Sequence, residues 1–226
     1  MGTLFMVGTP IGNLKDITIR ALEVLKAVDT IFCEDTRRTR KLLSAWEIPA
    51  KVVSLRAQNE EQESDRVIRL LRDGKNAAYA SDAGTPGLSD PGSVLCRKVR
   101  EAGFPVVPIP GPSAFGALSS VGGFGGKSIL FEGFLSPKGG KRRSRLAELL
   151  QRGDAFLVYE SPFRILKLLD DLSDLSPEQP ILVGREMTKL HEEFLEGTAG
   201  DVAEVLRRKE KIQGEFSVLV SGKKKG

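Results

Sequence analysis

Short apolar runs rich in β-branched residues alternate with amphipathic segments through the first half of the chain. The apolar runs predict strands at residues 3–7, 30–33, 52–55, 77–80 and 106–109. The segments between them predict helices at residues 16–28, 36–46, 59–73 and about 92–102. Alternation of strands and helices is typical of an α/β domain with a mostly parallel sheet, covered by helices on both faces.

The second half repeats this alternation with one difference. Its predicted strands lie at residues 128–132, 155–159, 181–186, 193–198 and 215–220. Its predicted helices lie at residues 144–152, 162–172 and 201–210. No helix separates the strands near Glu186 and Phe194, which indicates a mixed sheet.

A glycine-rich stretch divides the two halves. Residues 122–127 contain four glycines, a composition typical of a flexible joint. The sequence therefore predicts two α/β domains. They are an N-terminal domain at 1–121 and a C-terminal domain at 128–226, joined by a hinge at 122–127.

Composition narrows the class of protein. Of the 226 residues, 40% are hydrophobic and 28% are charged, a balance that excludes a disordered chain. The first residues lack the basic flank of a signal peptide, and no apolar run reaches the ~18 residues of a membrane span. Two cysteines exclude a disulfide scaffold, and a single histidine, His191, leaves no expected metal site. We therefore expect a cytoplasmic protein.

The net charge is only +4, but the basic side chains are clustered along the chain. Basic side chains gather at 37–41, at 138–145 and in the tail at 223–225. A solvated helix face or a frayed terminus would explain any one of these runs, and we favour that explanation for the tail. The first two runs lie beside predicted loops, which makes a polyanionic partner plausible.

Four loops follow the predicted strands, at residues 8–13, 34–37, 81–92 and 110–114, and all but the one at 34–37 are rich in glycine and proline. In a parallel sheet such loops share the carboxyl edge, where ligands bind. Glycine lets the backbone approach a ligand, and proline lowers the entropy lost on ordering. Neither a phosphate-binding loop nor a dinucleotide fingerprint is present. Backbone groups with carboxylates such as Asp82 suit a nucleoside that carries a positive centre, as S-adenosylmethionine does.

A series of motifs then identifies a family. In order they are Gly-Thr-Pro-Ile-Gly-Asn-Leu at 8–14, Glu-Asp-Thr-Arg at 34–37, Ser-Asp-Ala-Gly-Thr-Pro at 81–86, Ser-Asp-Pro-Gly at 89–92, Pro-Gly-Pro-Ser-Ala at 110–114, Tyr-Glu-Ser-Pro at 159–162 and Arg-Glu-Met-Thr-Lys at 185–189. From residue 4 to residue 220 the chain resembles the ribosomal RNA small subunit methyltransferase I branch of the tetrapyrrole methylase superfamily. It departs from that branch at Phe163, where members commonly have histidine.

The resemblance implies a two-domain enzyme that uses S-adenosylmethionine and no metal. The implied reaction is 2′-O-methylation of the ribose of cytidine 1402 of small-subunit rRNA, in the decoding centre. It also implies a homodimer that acts on the small ribosomal subunit, with the cofactor in a cleft between the two domains. The residues implied to bind the cofactor are Gly8, Pro10, Asp82, Gly84, Thr85, Ser113, Ala114, Tyr159 and Met187.

A ribose hydroxyl is a poor nucleophile, so a carboxylate that accepts its proton would accelerate the transfer about 10²–10⁴-fold. The candidates are Asp35, which we favour, its neighbour Glu34, and Glu160. Glu160 has a second interpretation as the ion-pair partner of Arg164, four residues on. The candidate RNA-binding residues are Arg37, Arg38, Lys138, Arg142 and Arg143, with Phe134 and Tyr159 as candidates for base stacking.

Two other functions remain open on sequence alone. A small-molecule methyltransferase acting on a tetrapyrrole-like substrate would use the same cofactor fold, but its activity would depend little on salt. A non-catalytic RNA-binding module would have no affinity for S-adenosylmethionine.

Overall fold

The computed structural model describes residues 1–124 and 128–222. Part of the predicted hinge, residues 125–127, and the basic tail at 223–225 lie outside the described residues. By its internal contacts the chain divides into two compact units, Met1–Ser113 and Ala114–Gly226.

The first unit contains five strands and four helices among its described residues. The strands are β1 (Leu4–Val7), β2 (Thr30–Cys33), β3 (Val52–Ser54), β4 (Ala77–Ala80) and β5 (Val106–Ile109). The helices are α1 (Ile19–Ala27), α2 (Thr36–Ala45), α3 (Glu60–Arg72) and α4 (Ser93–Glu101), with a short 3₁₀ turn at Leu14–Asp16. All nine predicted elements of this half are present at close to their predicted positions.

The five strands form one parallel sheet in the order β3-β2-β4-β1-β5. Alternate strand residues face opposite layers of helices. Phe32 and Tyr79 pack against α3 and α4 on one face, whereas Ile31 and Ala78 pack against α1 and α2 on the other. Burial on both faces explains why β4 is continuously apolar, and β2 is apolar after Thr30, rather than alternating.

The second unit also contains five strands and four helices among its described residues. The strands are β6 (Ile129–Phe134), β7 (Ala155–Glu160), β8 (Pro180–Arg185), β9 (Glu193–Thr198) and β10 (Phe216–Val220). The helices are α5 (Ala114–Val121), α6 (Gly139–Arg152), α7 (Ile165–Leu175) and α8 (Ala199–Arg207).

The second sheet is mixed, in the order β6-β7-β10-β8-β9. β6 and β7 are parallel, β10 runs antiparallel to both β7 and β8, and β9 is antiparallel to β8. One face is covered by α6, α7 and α8, and the other by α5. The two sheets, one parallel and one mixed, confirm the predicted fold class.

The structure differs from the sequence-based expectation at two helices. Residues 114–121 form α5, which was not predicted because its residues show no clear polar face. Leu118 is fully buried with Leu157 and Leu219 of the second sheet, which places α5 in the second unit, ahead of the hinge predicted at 122–127. Helix α6 begins at Gly139, five residues before the predicted start, so the basic run lies on a helix.

No helix within the described residues has both the length and the apolar character required to cross a lipid bilayer.

Candidate functional site

Main-chain hydrogen bonds join the loops that follow β1 and β4 at the carboxyl edge of the first sheet. The Thr9 N–H donates to the Gly84 carbonyl at 2.9 Å, and the Gly84 N–H donates back to the Thr9 carbonyl at 3.0 Å. The buried Thr9 hydroxyl donates to the Ser81 carbonyl at 3.0 Å. The two loops therefore form a continuous, fixed rim although they are more than 70 residues apart in sequence.

The loop after β5 packs directly against the loop after β1, and only glycine permits this approach. A Cβ on Gly8 would lie 2.8 Å from the Gly111 nitrogen, and a Cβ on Gly111 would lie 2.8 Å from the Gly8 oxygen. Gly84 has a φ of +85°, which favours glycine. The Thr85 hydroxyl donates to the Pro112 carbonyl at 3.4 Å. The three glycine- and proline-rich loops thus meet at one rim.

The fourth loop, after β2, is tied to this rim through Asp82. The Asp35 N–H donates to the Asp82 carboxylate at 2.9 Å. The Asp35 side chain caps α2 by accepting the Arg37 N–H at 2.9 Å, and the Arg37 guanidinium binds the same carboxylate at 2.7 Å. These hydrogen bonds with Arg37 hold the pKa of Asp35 well below its usual range. A carboxylate that is stabilised in this way is a weak base, so the geometry argues against Asp35 as a proton acceptor.

Asp90, on the loop between β4 and α4, has the opposite electrostatic environment. Its half-buried carboxylate makes no hydrogen bond or ion pair with any residue that the structure describes. Burial, followed by the negative charges of Glu34 and Asp82, raises the pKa of Asp90 to about 6. The Ser-Asp-Pro-Gly motif at 89–92 does not by itself indicate a role for this aspartate. The position of Asp90 on a carboxyl-edge loop is the sequence feature that could have indicated a functional role.

In the second unit, Tyr159 and Met187 belong to one apolar cluster beside α5. The Tyr159 hydroxyl accepts the Phe115 N–H of the first turn of α5 at 3.0 Å. Met187 is buried between Glu186 and Thr188, two non-glycine residues with φ of +49° and +68°. Backbone strain of this kind persists where the surrounding structure enforces it, commonly at ligand-binding loops.

Glu160 is 2% exposed at the end of β7. One carboxylate oxygen accepts the Ser161 N–H at 2.8 Å and binds Arg164 at 2.7 Å, so the ion pair predicted from the four-residue spacing is present. The other oxygen is buried and has no hydrogen-bond partner among the described residues. Glu160 is therefore partly held by Arg164 and retains one oxygen able to accept a further hydrogen bond.

The predicted RNA-binding residues fall into two groups. Arg37, Arg38 and Lys138 are exposed, at the start of α2 and just before α6. Arg142 is instead 5% exposed, because its guanidinium binds Asp171 of α7 at 2.8 Å. The guanidinium of Arg143 binds Asp174, which is also on α7, at 2.9 Å. These two arginines join α6 to α7, which the sequence alone did not indicate.

Two aromatic side chains of the second unit are exposed after parallel strands. Phe134, at the end of β6, is 56% exposed and makes an edge-on contact with Tyr159, their ring centres 5.7 Å apart. Phe163, three residues after β7, is 90% exposed. An exposed phenylalanine gains no burial from folding, so it is a candidate contact for another molecule.

The predicted cofactor residues of the first unit lie on three of the four carboxyl-edge loops, those after β1, β4 and β5. They are Gly8, Pro10, Asp82, Gly84, Thr85 and Ser113. Ala114, Tyr159 and Met187 lie in the second unit. Within residues 1–124 and 128–222, no group of three or more histidine, cysteine or acidic side chains is arranged to hold a metal ion.

Comparison with known sequences finds relatives over nearly the whole chain. A family profile described as Tetrapyrrole (Corrin/Porphyrin) Methylases matches residues 3–203. A protein of Borrelia garinii subsp. bavariensis named "Ribosomal RNA small subunit methyltransferase I" is 51% identical and covers 96% of this chain and 98% of its own length. A protein of Thermotoga maritima with the same name is 42% identical, over 99% of this chain and all of its own.

Solved structures share the fold at much lower identity. A cobalt precorrin-4 methyltransferase of cobalamin biosynthesis superposes with a TM-score of 0.72 at 16% identity, covering 97% of this chain and 94% of its own. A uroporphyrin-III C-methyltransferase from Thermus thermophilus superposes with a TM-score of 0.69 at 21% identity, covering 98% of this chain and 94% of its own. Likeness at this level of identity establishes the fold alone.

Proposed function

The chain belongs to the tetrapyrrole (corrin/porphyrin) methylase family, and from this we propose that it transfers a methyl group from S-adenosylmethionine to small-subunit ribosomal RNA. More specifically, we propose 2′-O-methylation of the ribose of cytidine 1402. The observation that carries the proposal is the rim of four carboxyl-edge loops, together with full-length relatives that bear this name. The proposed partners are the small subunit and a second copy of this chain.

The residues at the rim fit a nucleoside that carries a positive centre. Gly8 and Gly111 bring backbone into contact where any side chain would intrude, and acidic side chains such as Asp82 and Asp90 supply negative charge. The proposed contacts of the cofactor are Gly8, Pro10, Asp82, Gly84, Thr85 and Ser113 of the first unit, and Ala114, Tyr159 and Met187 of the second. When bound, S-adenosylmethionine supplies an electrophilic methyl group.

The contribution of the chain to catalysis is positioning and proton removal. Loops fixed by main-chain hydrogen bonds hold reactants near attack distance with little loss of entropy on binding. Glu160 has a buried carboxylate oxygen that can accept a substrate hydrogen bond, while Arg164 holds the other oxygen. Asp35, capped and bound to Arg37, is proposed to position the β2 loop through the first turn of α2.

RNA binding is proposed to use the exposed cations Arg38 and Lys138, which can each neutralise a phosphate, together with Arg37, whose charge is shared with Asp35. Arg143 is half exposed and contributes charge beside its carboxylate partners. Arg142 is not carried forward as an RNA contact, because its guanidinium is buried against Asp171. The exposed rings of Phe134 and Phe163 are proposed to stack on unpaired bases.

The test is a transfer assay with labelled S-adenosylmethionine and small subunits from cells that lack this modification. The RNA is digested to nucleosides, and we expect the label in 2′-O-methylated cytidine. We also expect the rate under limiting RNA to fall as salt rises. Label on a base atom would refute the ribose target, and transfer only to a tetrapyrrole would refute RNA as the substrate. Absence of cofactor binding by calorimetry would leave a non-catalytic RNA-binding module.

A further inference from the structure

Residues 86–92, the last part of the loop after β4, have a strained backbone. Ser89, a non-glycine residue, has a φ of +64°, and such a conformation persists only where the surrounding structure enforces it. The Gly87 N–H donates to the Pro91 carbonyl at 3.1 Å. That hydrogen bond closes the segment on itself, but it does not attach the segment to another element. The attachment comes from a different loop of the same sheet.

A buried carboxylate, that of Glu60, holds the end of this segment. Glu60 is the first residue of α3, follows the loop after β3, and is 6% exposed. One of its carboxylate oxygens accepts the Gly92 N–H at 2.9 Å and the Leu95 N–H at 3.0 Å. Among the residues that the structure describes, no other hydrogen bond joins residues 86–92 to an element outside this loop and α4.

The same two hydrogen bonds cap the N-terminus of α4. Gly92 is the N-cap residue of α4 and has no side chain that could accept the free N–H groups of the first turn. Glu60 accepts them from 32 positions away, and its negative charge lies where the helix dipole favours an anion. A Cβ on Gly92 would lie 2.9 Å from the Met6 side chain and 3.4 Å from the Tyr79 ring. Packing and the Glu60 carboxylate therefore fix Gly92 together.

The loop after β4 is thus held at two points, and the proposed cofactor contacts lie on it. Asp82, Gly84 and Thr85 precede the strained segment, and main-chain hydrogen bonds join Gly84 to Thr9 of the loop after β1. The Glu60 carboxylate is the second point. Without it, residues 86–92 can populate other conformations. A ligand that binds only one loop conformation then loses apparent affinity in proportion to the fraction of molecules in that conformation.

We propose that Glu60 is a positioning residue for S-adenosylmethionine, whose carboxylate holds the loop after β4 in the conformation that receives the cofactor. This inference rests on the proposed function. Glu60 acts through the main chain of Gly92 and Leu95, not by contact with the cofactor. The role requires an acceptor oxygen at one place and no proton transfer. Glutamine can supply that oxygen, whereas alanine cannot.

The experiment compares wild type with Glu60→Ala, Glu60→Gln and the matched control Asp29→Ala. Asp29 also accepts a main-chain N–H in the first unit, that of Asn76 at 2.8 Å, but it precedes β2 at the opposite edge of the sheet. Calorimetry with S-adenosylmethionine is run where urea denaturation shows every variant to be folded. We expect Glu60→Ala, with its loop competent about 1–10% of the time, to bind about 10–100-fold more weakly. Glu60→Gln and Asp29→Ala should bind within about threefold of wild type.

Hydrogen exchange and single-turnover rates separate positioning from a general loss of stability. In cofactor-free Glu60→Ala we expect the N–H groups of Gly92 and Leu95 to exchange faster than in wild type, while those of β1 exchange at the wild-type rate. Saturating S-adenosylmethionine should slow this exchange again. Methyl transfer at saturating cofactor should stay within about threefold of wild type, because bound cofactor selects the competent loop conformation.

Wild-type affinity in Glu60→Ala would overturn the inference, as would equal weakening in Asp29→Ala. Weakening of Glu60→Gln to the level of Glu60→Ala would also overturn it, because the charge and not the acceptor oxygen would then be required. If Glu60→Ala does not fold, Glu60→Asp, whose carboxylate is one methylene further back, takes its place with the same expectations. If wild type binds no S-adenosylmethionine, the proposed function fails instead, and exchange at Gly92 in the cofactor-free proteins still shows whether Glu60 holds the loop.

Discussion

Asp90→Asn is expected to stabilise the first unit at neutral pH. In the unfolded chain an aspartate has a pKa near 3.8, whereas in the folded protein burial and nearby charge raise that of Asp90 to about 6. The folded state therefore holds this proton more tightly, and wild-type stability falls as pH rises from about 4 to about 6. The two values differ by about two pH units at 1.36 kcal/mol each, or about 3 kcal/mol. Partial exposure reduces the expected gain to about 1–2 kcal/mol.

The assay is urea denaturation followed by the fluorescence of Trp46, the single tryptophan, which lies in the same unit as Asp90. Asp90→Asn should exceed wild type in free energy of unfolding at pH 7.5, and the difference should vanish near pH 4. Asp65→Asn is the control of opposite sign, because Lys98 lowers the pKa of Asp65 and its charge stabilises the fold at neutral pH. Equal or lower stability of Asp90→Asn at pH 7.5 would refute the electrostatic reasoning.

Three further substitutions test other parts of the structure. Gly111→Ala forces a Cβ to within 2.8 Å of the Gly8 carbonyl oxygen, so calorimetry should show cofactor binding about tenfold weaker. The control Gly140→Ala, where a Cβ would meet open space, should bind the cofactor as wild type does. Arg142→Ala removes the buried partner of Asp171 and leaves it only Arg143 at 3.5 Å. Urea denaturation should show a free energy of unfolding of the second unit about 1–3 kcal/mol lower, an effect that loss of a purely RNA-binding residue would not produce. Phe163→Ala should weaken RNA binding by about 1–3 kcal/mol in an anisotropy titration while the melting temperature is unchanged, and equal affinity would contradict base stacking.

Strand positions and loop chemistry were predictable because both are local. Tyr79 and its neighbours in β4 are apolar in an unbroken run, and such runs mark strands buried on both faces. The loops at 8–13 and 81–92 could be placed at one edge because all parallel strands end there. α5 was missed, since its short sequence carries no amphipathic pattern and its helix is stabilised by packing of Leu118 on the second sheet.

The roles of charged residues could not be predicted in the same way. Arg142 lies in a run of basic residues that suggests an exposed patch, yet its partner Asp171 is 29 positions further along the chain. Asp35 and Asp90 are the same residue type on neighbouring loops. One is bound by Arg37 and the other faces Glu34 and Asp82, so their pKa values move in opposite directions.

The sequence by itself determined the order of strands and helices, the glycine- and proline-rich loops and the family, because hydrophobic period and turn chemistry act between near neighbours along the chain. Only the tertiary structure decided which arginine is buried and which aspartate has a raised pKa. Those properties depend on all the groups that folding brings close together in space. In the protein interior, a few ångströms of burial or one nearby charge is enough to change a pKa or the strength of an ion pair.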